Sequence, residues 1–147
     1  MLTIEWINMK ISIQRQEIVT YETSLKDATL LEVLGDIKHH QDRTLTYASG
    51  CRSSVCGSCS MRANGKEVLA CSYKVQDGDF IEPLKNVNVI RDLVVDMDKA
   101  LSFNAKAKAY VKVASSNVSV TQENEKINEV QSDCILCGSC YSACPVY

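Results

Sequence analysis

The stretch Cys-Arg-Ser-Ser-Val-Cys-Gly-Ser-Cys, residues 51–59, decides the fold of this chain, and Cys71 follows it after eleven residues. The spacing C-x4-C-x2-C with a fourth cysteine further along is the ligand pattern of a plant-type 2Fe–2S cluster. The fourth thiolate comes from a separate segment, so the chain has to reverse between Cys59 and Cys71. Asn64-Gly65 lies between them and is a strong signal for a two-residue hairpin turn. The sequence therefore predicts a metal-binding loop and a hairpin that returns the last ligand to it.

Small residues surround these cysteines, at Gly50, Ser53, Ser54, Gly57, Ser58 and Ser60. They let backbone N–H groups approach the sulfur atoms, because glycine adopts backbone angles that other residues resist. Hydrogen bonds from such groups to the sulfurs tune the reduction potential of a cluster. We therefore expect Gly57 and Ser58 to tune the potential.

The spacing leaves two other interpretations of the four cysteines open. Structural zinc sites usually show two paired C-x2–4-C knuckles, and C-x4-C-x2-C does not divide into such pairs. Disulfides form in oxidising compartments, and we expect no signal peptide in the N-terminal residues. An iron–sulfur site is thus favoured over a zinc-stabilised binding module and over a disulfide scaffold.

The composition sets broad limits on the class of protein. The chain has 147 residues, 46% of them hydrophobic, and a formal net charge of −2, which suits one or two small globular domains. The near-neutral charge gives no reason to expect nucleic acid, and no apolar run approaches the roughly 20 residues of a membrane span. The 8 cysteines fall into two groups, residues 51–71 and 134–144, which favours two sets of metal ligands in a reducing compartment.

Five stretches predict β-strands. Residues 2–8 and 10–21 are rich in β-favouring side chains and together predict an antiparallel hairpin. Residues 60–64 and 66–70 are the arms of the hairpin that follows the metal-binding loop. Residues 80–84 predict a final strand, with its proline at the end or on an edge.

One helix is predicted before the metal-binding loop, over residues 29–40. Thr29 and Glu32 have capping-box spacing, and the apolar residues behind them recur at the helical period. This helix is expected to cover the sheet. His39 and His40 at its end point in different directions, and we assign them to the surface rather than to a metal site.

These elements predict an α+β protein that begins with a β-grasp plant-type ferredoxin domain over residues 1–96. Residues 97–114 lack glycine and proline and predict a connecting helix. Residues 115–133 are polar and predict a linker or mobile loop. Residues 134–147 are expected to begin an α-helical bacterial-type ferredoxin domain.

The closing stretch has the spacing C-x2-C-x2-C-x3-C-P, with its cysteines at Cys134, Cys137, Cys140 and Cys144. In this bacterial-type run the first three cysteines bind one 4Fe–4S cluster and the fourth ligates a different cluster. No further cysteine is present to complete either site. We therefore expect this sequence to be the front part of a longer chain, with a full ligand set only at the first centre.

Taken together, these motifs resemble the iron–sulfur subunit of the succinate dehydrogenase / fumarate reductase family. The matching stretches are residues 49–61, 64–66, 69–71, 81–84, 89–97 and 134–145. Two cluster motifs in this order, with Arg-Asp-Leu-Val-Val-Asp at residues 91–96 between them, are more specific than either motif alone. The resemblance covers essentially the whole chain.

The resemblance implies three clusters. Its ligand sets are Cys51, Cys56, Cys59 and Cys71 for the 2Fe–2S cluster, Cys134, Cys137 and Cys140 for a 4Fe–4S cluster, and Cys144 for a 3Fe–4S cluster. The remaining ligands of the last two clusters would lie beyond Tyr147. Arg52 would raise the potential of the first cluster, since a cation favours the more negative reduced state, although a purely solvated arginine is an equal alternative.

The resemblance also implies the function and the partners. A flavoprotein subunit with FAD interconverts succinate and fumarate, and the clusters relay single electrons to or from quinone at a membrane anchor subunit. No catalytic residue is expected on this chain itself. The expected location is peripheral, on the cytoplasmic face of the inner membrane, with export to the periplasm beside a partner subunit as an alternative.

Two related functions remain as alternatives. One is the iron–sulfur relay subunit of a thiol-dependent fumarate reductase or of a glycolate-type oxidase, which would continue into a different cysteine-rich domain. The other is a free ferredoxin that carries electrons between proteins.

Overall fold

The computed structural model describes residues 8–107, 121–123, 126–127, 129 and 133–146. The elements with defined bounds are β1 (Met9–Gln14), β2 (Ile18–Thr23), α1 (Leu30–His40), β3 (Ser60–Ala63), β4 (Lys66–Leu69), β5 (Phe80–Glu82), β6 (Asn88–Arg91), β7 (Val94–Asp96), α2 (Asp98–Lys106) and α3 (Ser139–Ser142). Within the described residues, each helix lacks the length and apolar character that a membrane crossing requires.

The first five strands form one mixed sheet in the order β2-β1-β5-β3-β4. Strands β1 and β5 are parallel, with Ser12 opposite Phe80, and the other neighbours are antiparallel. Parallel neighbours need a long connection. Here the connection from β1 to β5 includes α1, the cysteine loop and the β3–β4 hairpin. The cysteine loop therefore lies in the connection between the parallel neighbours β1 and β5, and it leads directly into β3.

Helix α1 covers this sheet as the sequence predicted. Its buried face consists of Leu30, Leu31, Val33, Leu34 and Ile37. These side chains pack with Ile11, Ile13 and Ile81 of the central strands, all fully buried, in one apolar core. Burying a side chain of this size contributes roughly 1.5–3 kcal/mol.

The predicted capping box is present at the start of α1. The Thr29 hydroxyl accepts a hydrogen bond from the Glu32 backbone N–H at 3.3 Å, and the Glu32 carboxylate accepts one from the Thr29 N–H at 2.7 Å. Two of the four orphan N–H donors at this end are thereby satisfied, and those of Leu30 and Leu31 donate to the carbonyls of Tyr73 and Ala70. His39 and His40 are exposed at the other end, which confirms their assignment to the surface.

The N-terminal hairpin lies later in the chain than predicted. Both strands fall within residues 9–23, and the turn falls in the polar run at residues 15–17. Residues 2–7 lie outside the described residues. The error arose because β-favouring side chains continue without a glycine or proline to mark the turn.

A second hairpin, β6–β7, was not predicted. It makes a separate two-stranded sheet with an irregular register between Val89 and Arg91. The strand at residues 80–84 is consequently shorter than expected and is not the last one. The turn of the β6–β7 hairpin contains no glycine. Asp92 takes the left-handed conformation there, with φ 49°.

Two predictions for residues 97–133 are only partly covered. Helix α2 begins near the expected residue, but residues 108–120 lie outside the described part of the chain. Residues 122, 123, 126, 127 and 129 are helical, in the segment where the sequence predicted a linker or mobile loop.

Asp92 fastens the β6–β7 hairpin to the main sheet. Its carboxylate accepts hydrogen bonds from Arg15 Nε at 2.9 Å and Arg15 Nη2 at 3.2 Å, and from the Thr46 backbone N–H at 2.8 Å. Burial raises the pKa of the Asp92 carboxyl, but the hydrogen bonds from Arg15 and Thr46 outweigh burial and hold the pKa below its usual value. The Leu93 N–H also donates to the Thr46 carbonyl at 3.2 Å.

The same arginine joins the hairpin turn to the end of α1. Arg15 donates to the Tyr21 hydroxyl at 3.1 Å and to Thr44 Oγ1 at 3.0 Å, and it pairs with Asp42. Hydrogen bonds from the hydroxyls of Thr44 and Tyr21 hold the pKa of the Asp42 carboxyl well below its usual range. One guanidinium thus ties together three segments that are distant in sequence.

We expect Asp92→Asn to lower the free energy of unfolding by about 3 kcal/mol at neutral pH, the usual cost of removing one partner of a buried ion pair. The new amide nitrogen would face the donors of Arg15 and Thr46, while asparagine still tolerates the left-handed backbone. Urea unfolding measures the change. Asp27→Asn is the matched control, because Asp27 is an exposed aspartate at another left-handed position, with φ 55°.

The free energies of unfolding of the wild type and Asp92→Asn should also differ in their pH dependence. Because the pKa of Asp92 is lower in the folded state than in the unfolded state, its contribution is complete above an unfolded pKa of about 3.9 and is lost as pH falls through the folded value. Below about pH 4 the wild type should therefore lose stability that Asp92→Asn never had. An unchanged acid limb in Asp92→Asn would contradict this role.

Candidate metal centre

The loop before β3 turns its backbone N–H groups toward the Cys51 sulfur. Cys51 Sγ lies 3.3 Å from each of the backbone nitrogens of Ser53, Val55 and Cys56, and all three donate to it. Arg52 and Ser54 both have φ 60°, in the left-handed region. Alternation of left- and right-handed residues makes a concave nest of N–H groups, which binds anions. The loop therefore directs three backbone N–H donors at one sulfur.

The Cys56 sulfur has its own set of donors. It lies 3.0 Å from Ser58 Oγ and accepts a hydrogen bond from the Cys51 backbone N–H at 3.3 Å. The Ser58 hydroxyl and the Cys51 N–H lower the pKa of the Cys56 thiol to about 6. The deprotonated thiolate is the form that ligates metals. Ser58, which the sequence marked as a tuning residue, thus lies against a sulfur.

The other two cysteines of this group meet at the base of the loop. Ala70 N–H donates to the Cys59 carbonyl at 3.1 Å, which continues the β3–β4 pairing and brings Cys71 beside Cys59. The two thiols perturb the pKa of each other. Burial raises the pKa of the Cys59 thiol, whereas the Ser54 hydroxyl lowers the pKa of Cys71.

The four cysteines therefore form two neighbouring pairs, Cys51 with Cys56 and Cys59 with Cys71. In the described part of the chain, no three His, Cys, Asp or Glu side chains converge on a single ion position. A mononuclear zinc site needs four ligands around one ion, whereas a binuclear centre takes two ligands at each metal. The pairs and the inward N–H groups fit a 2Fe–2S cluster.

Arg52 lies at the exposed rim of this group. Its side chain lines a surface cavity of about 380 Å³ that Cys71 and Glu32 also line. Arg52 and Cys71 thus line one surface depression, and the effect of Arg52 on the potential stays a prediction.

The second cysteine group surrounds an apolar cavity of about 410 Å³. All four of its cysteines line this cavity, with further walls from Met97, Leu101, Phe103, Leu136 and Tyr141. Burial raises the pKa of the Cys137 thiol, but hydrogen bonding with Ser139 and Ser60 outweighs burial and lowers the pKa overall. Cys144 lines the same cavity as Cys134, Cys137 and Cys140, although the sequence assigns it to a different cluster.

The two cysteine groups touch each other at Gly57, which the sequence had not indicated. A Cβ atom on Gly57 would lie 2.7 Å from Cys137 Cβ, 2.9 Å from Cys137 Cα and 2.9 Å from the Ile135 carbonyl oxygen. Gly57 has φ +69°, so it also needs the conformational freedom of glycine. Spacing within each motif carries no information about this contact, because it joins segments about eighty residues apart.

Family models match both groups. Residues 3–104 match a model described as a 2Fe–2S iron–sulfur cluster binding domain, and residues 128–147 match one described as a 4Fe–4S binding domain. The chain belongs to the 2Fe–2S iron–sulfur cluster binding domain family.

Curated relatives of this 2Fe–2S domain protein carry the names that the motifs predicted. It is 43% identical over 131 residues to the 8-methylmenaquinol:fumarate reductase iron–sulfur subunit of Wolinella succinogenes, covering 79% of this chain and 41% of the relative. It is 33% identical over 144 residues to the mitochondrial succinate dehydrogenase [ubiquinone] iron–sulfur subunit of Dictyostelium discoideum, covering 88% and 50%. The resemblance stated from the sequence is confirmed.

A third relative is an uncharacterized iron–sulfur protein of Methanocaldococcus jannaschii, 34% identical over 136 residues, with 90% of this chain and 27% of the relative covered. The chain therefore spans half or less of the length of these three relatives.

A solved structure shares the fold. The Mycobacterium smegmatis Sdh1 complex in the apo form contains a chain that aligns with a TM-score of 0.77 at 23% identity, covering 93% of this chain and 63% of that one. Together with the mixed sheet and its single covering helix, this supports the predicted β-grasp ferredoxin-like fold of the first part. The helical second domain remains a prediction.

We expect Gly57→Ala to be more destabilising than Gly78→Ala. Both glycines have positive φ, at +69° and +84°, but a Cβ on Gly78 meets nothing within 4 Å. Gly78→Ala should lower the free energy of unfolding by about 1 kcal/mol, from the left-handed backbone alone. Gly57→Ala should cost roughly 1–3 kcal/mol more, because the methyl group enters a packed contact. Urea unfolding of the two variants side by side under reducing conditions measures the difference, and equal costs would refute the close packing at Gly57.

Proposed function

We propose that this chain is the electron-transfer iron–sulfur part of a succinate dehydrogenase / fumarate reductase complex. It passes single electrons between a flavoprotein subunit with FAD and a quinone site at a membrane anchor subunit. The observation that carries the proposal is the contact between the two cysteine groups at Gly57 and Cys137. Electron transfer weakens steeply with distance, and a relay needs neighbouring centres in close approach.

The proposed ligands follow the cysteine groups. Cys51, Cys56, Cys59 and Cys71 hold a 2Fe–2S cluster, Cys134, Cys137 and Cys140 hold a 4Fe–4S cluster, and Cys144 holds a 3Fe–4S cluster. The paired sulfurs and their N–H donors support the first assignment. The shared apolar cavity supports a cluster-sized site at the second group.

The proposed domain division places the 2Fe–2S domain at residues 1–96, the connecting segment at 97–133 and the start of the second cluster domain at 134–147. The bonds of Asp92 support the first boundary, because they hold the β6–β7 hairpin to the main sheet. The contacts of α2 with the second cysteine group support its place as a connection.

A bound cluster supplies one-electron chemistry, and the protein sets its position, burial and charge environment. Oxidation of succinate on the flavoprotein releases two electrons and two protons, and the electrons cross this chain one at a time toward quinone. The N–H groups around Cys51 stabilise the negative charge that arrives with each electron. We propose a peripheral location at the membrane, on its cytoplasmic face.

Electron paramagnetic resonance tests this function. In the anaerobically purified protein, we expect the signal of a reduced 2Fe–2S cluster, which Cys71→Ala removes and Cys144→Ala leaves in place. Succinate should reduce this cluster only when the flavoprotein subunit is present. A colourless zinc protein, or a signal that survives in Cys71→Ala, would reject the assignment.

We expect Ser58→Ala to lower the midpoint potential of the 2Fe–2S cluster. The Ser58 hydroxyl lies 3.0 Å from the Cys56 sulfur and stabilises the more negative reduced state. Loss of a hydrogen bond of about 1 kcal/mol corresponds to a shift on the order of 40 mV for one electron. A redox titration measures it.

Ser53→Ala is the matched control for this titration. The Ser53 hydroxyl lies on the same exposed loop but donates to the Cys51 carbonyl at 3.2 Å instead of to a sulfur. Its removal should leave the potential close to that of the wild type. Equal potentials in the two variants would remove the tuning role of Ser58.

A further inference from the structure

Asn86, in the segment after β5, makes polar contacts with the second cysteine group. Its side-chain amide Nδ2 lies 3.0 Å from the Tyr141 carbonyl oxygen, 3.2 Å from that of Ser142 and 3.3 Å from that of Cys144. Tyr141 and Ser142 are the last two residues of α3, and the Tyr141 carbonyl also accepts from the Cys144 backbone N–H at 3.4 Å. The amide of one residue in the 2Fe–2S domain therefore caps the helix that precedes Cys144.

The backbone at Asn86 is shaped for this contact. Its φ is 63°, in the left-handed region. Asparagine is among the few side-chain-bearing residues that visit this region routinely. The position therefore combines a turn conformation with a donor aimed at the second cysteine group.

Neighbouring contacts place the same helix from a second direction. Ser142 is 3% exposed, its hydroxyl donates to Glu67 Oε1 at 2.8 Å, and it accepts from the Lys85 backbone N–H at 2.9 Å. Glu67 in turn lies 3.4 Å from Nε of Arg62, a buried arginine of β3. Thus β3, β4 and the segment after β5 all contribute to seating α3.

We propose that Asn86 is a positioning residue that fixes the second cysteine group against the loop of the first. It acts through the backbone of α3 and touches no sulfur in either group. Gly57 provides the space for the close approach, and Asn86 provides the directional bonds that hold it. The consequence for electron relay rests on the proposed function, whereas the contact itself does not.

Two substitutions separate the amide from the backbone. Asn86→Gly removes the donor and suits a positive φ, so the turn itself should survive. Asn86→Asp keeps the shape but places an acceptor-only carboxylate against three carbonyl oxygens. Asp27→Gly is the control, since it makes the same kind of change at another left-handed position, with φ 55°, in a different segment.

Amide hydrogen exchange of the full-length protein is the first measurement and needs no cluster signal. In Asn86→Gly, amides of residues 142–144 should exchange about fivefold faster, the factor that loss of one net hydrogen bond of about 1 kcal/mol produces. The same amides should exchange faster still in Asn86→Asp, and at the wild-type rate in Asp27→Gly. Unchanged exchange in both Asn86 variants would overturn the proposal even if the clusters assemble.

Spin relaxation of the reduced 2Fe–2S cluster in the loaded protein is the second measurement. A nearby paramagnetic centre speeds this relaxation, and the enhancement depends steeply on distance. Asn86→Gly should lose part of the enhancement at unchanged iron content, and Asp27→Gly should retain it. If the amides of Asn86→Gly exchange faster but the relaxation enhancement is unchanged, the positioning role is overturned, because Asn86 would then only stabilise α3. Failure of the proposed function shows instead as absent clusters in the wild type.

Discussion

The register of the β3–β4 hairpin is the constraint on which the first centre depends. The turn at Asn64-Gly65 pairs Ser60 with Leu69, and the pairing continues to Cys59 and Ala70. Cys71 therefore reaches the loop only because the two arms have matching lengths. A slip of one residue would send every side chain of β4 to the opposite face of the sheet. The buried side chains of β3 oppose such a slip, because it would break their packing in the core.

Hydrogen bonding distributes donors unequally over the four sulfurs. Cys51 receives three backbone N–H groups, and Cys56 and Cys71 each receive one N–H group and lie near one serine hydroxyl, whereas Cys59 is buried at 3% exposure. Donors favour negative charge, and burial opposes it. Cys59 is thus the least favourable of the four sulfurs for negative charge. The loop supplies donors to both ends of the group, since Ser54 reaches Cys71 from there.

Local signals made much of the fold predictable, and long-range contacts made the rest unpredictable. The capping box at Thr29 and the Asn64-Gly65 turn are both encoded within a few residues, and both were predicted. The turn at Asp92 was not, because its left-handed backbone is held by Arg15, far away in sequence. Because this turn contains no glycine, the local sequence gives no turn signal there.

The same division applies to the site. Spacing identified the cysteines of both groups, and small residues identified the loop as a place of close backbone approach. What the spacing could not reveal is the partner in that approach. The residue beside Gly57 proved to be Cys137, and this depends on how α3 seats on the first domain.

Polar contacts hold α3 in place, and this has a physical reason. Apolar surfaces pack in several registers at similar free energy, whereas a hydrogen bond fails when its partner moves by an ångström or two. Asn86 and Ser142 therefore select one placement of the helix, at the cost of burying polar groups that must all be satisfied. In the proposed electron relay, one well-defined placement of α3 would keep the two cysteine groups at a fixed separation.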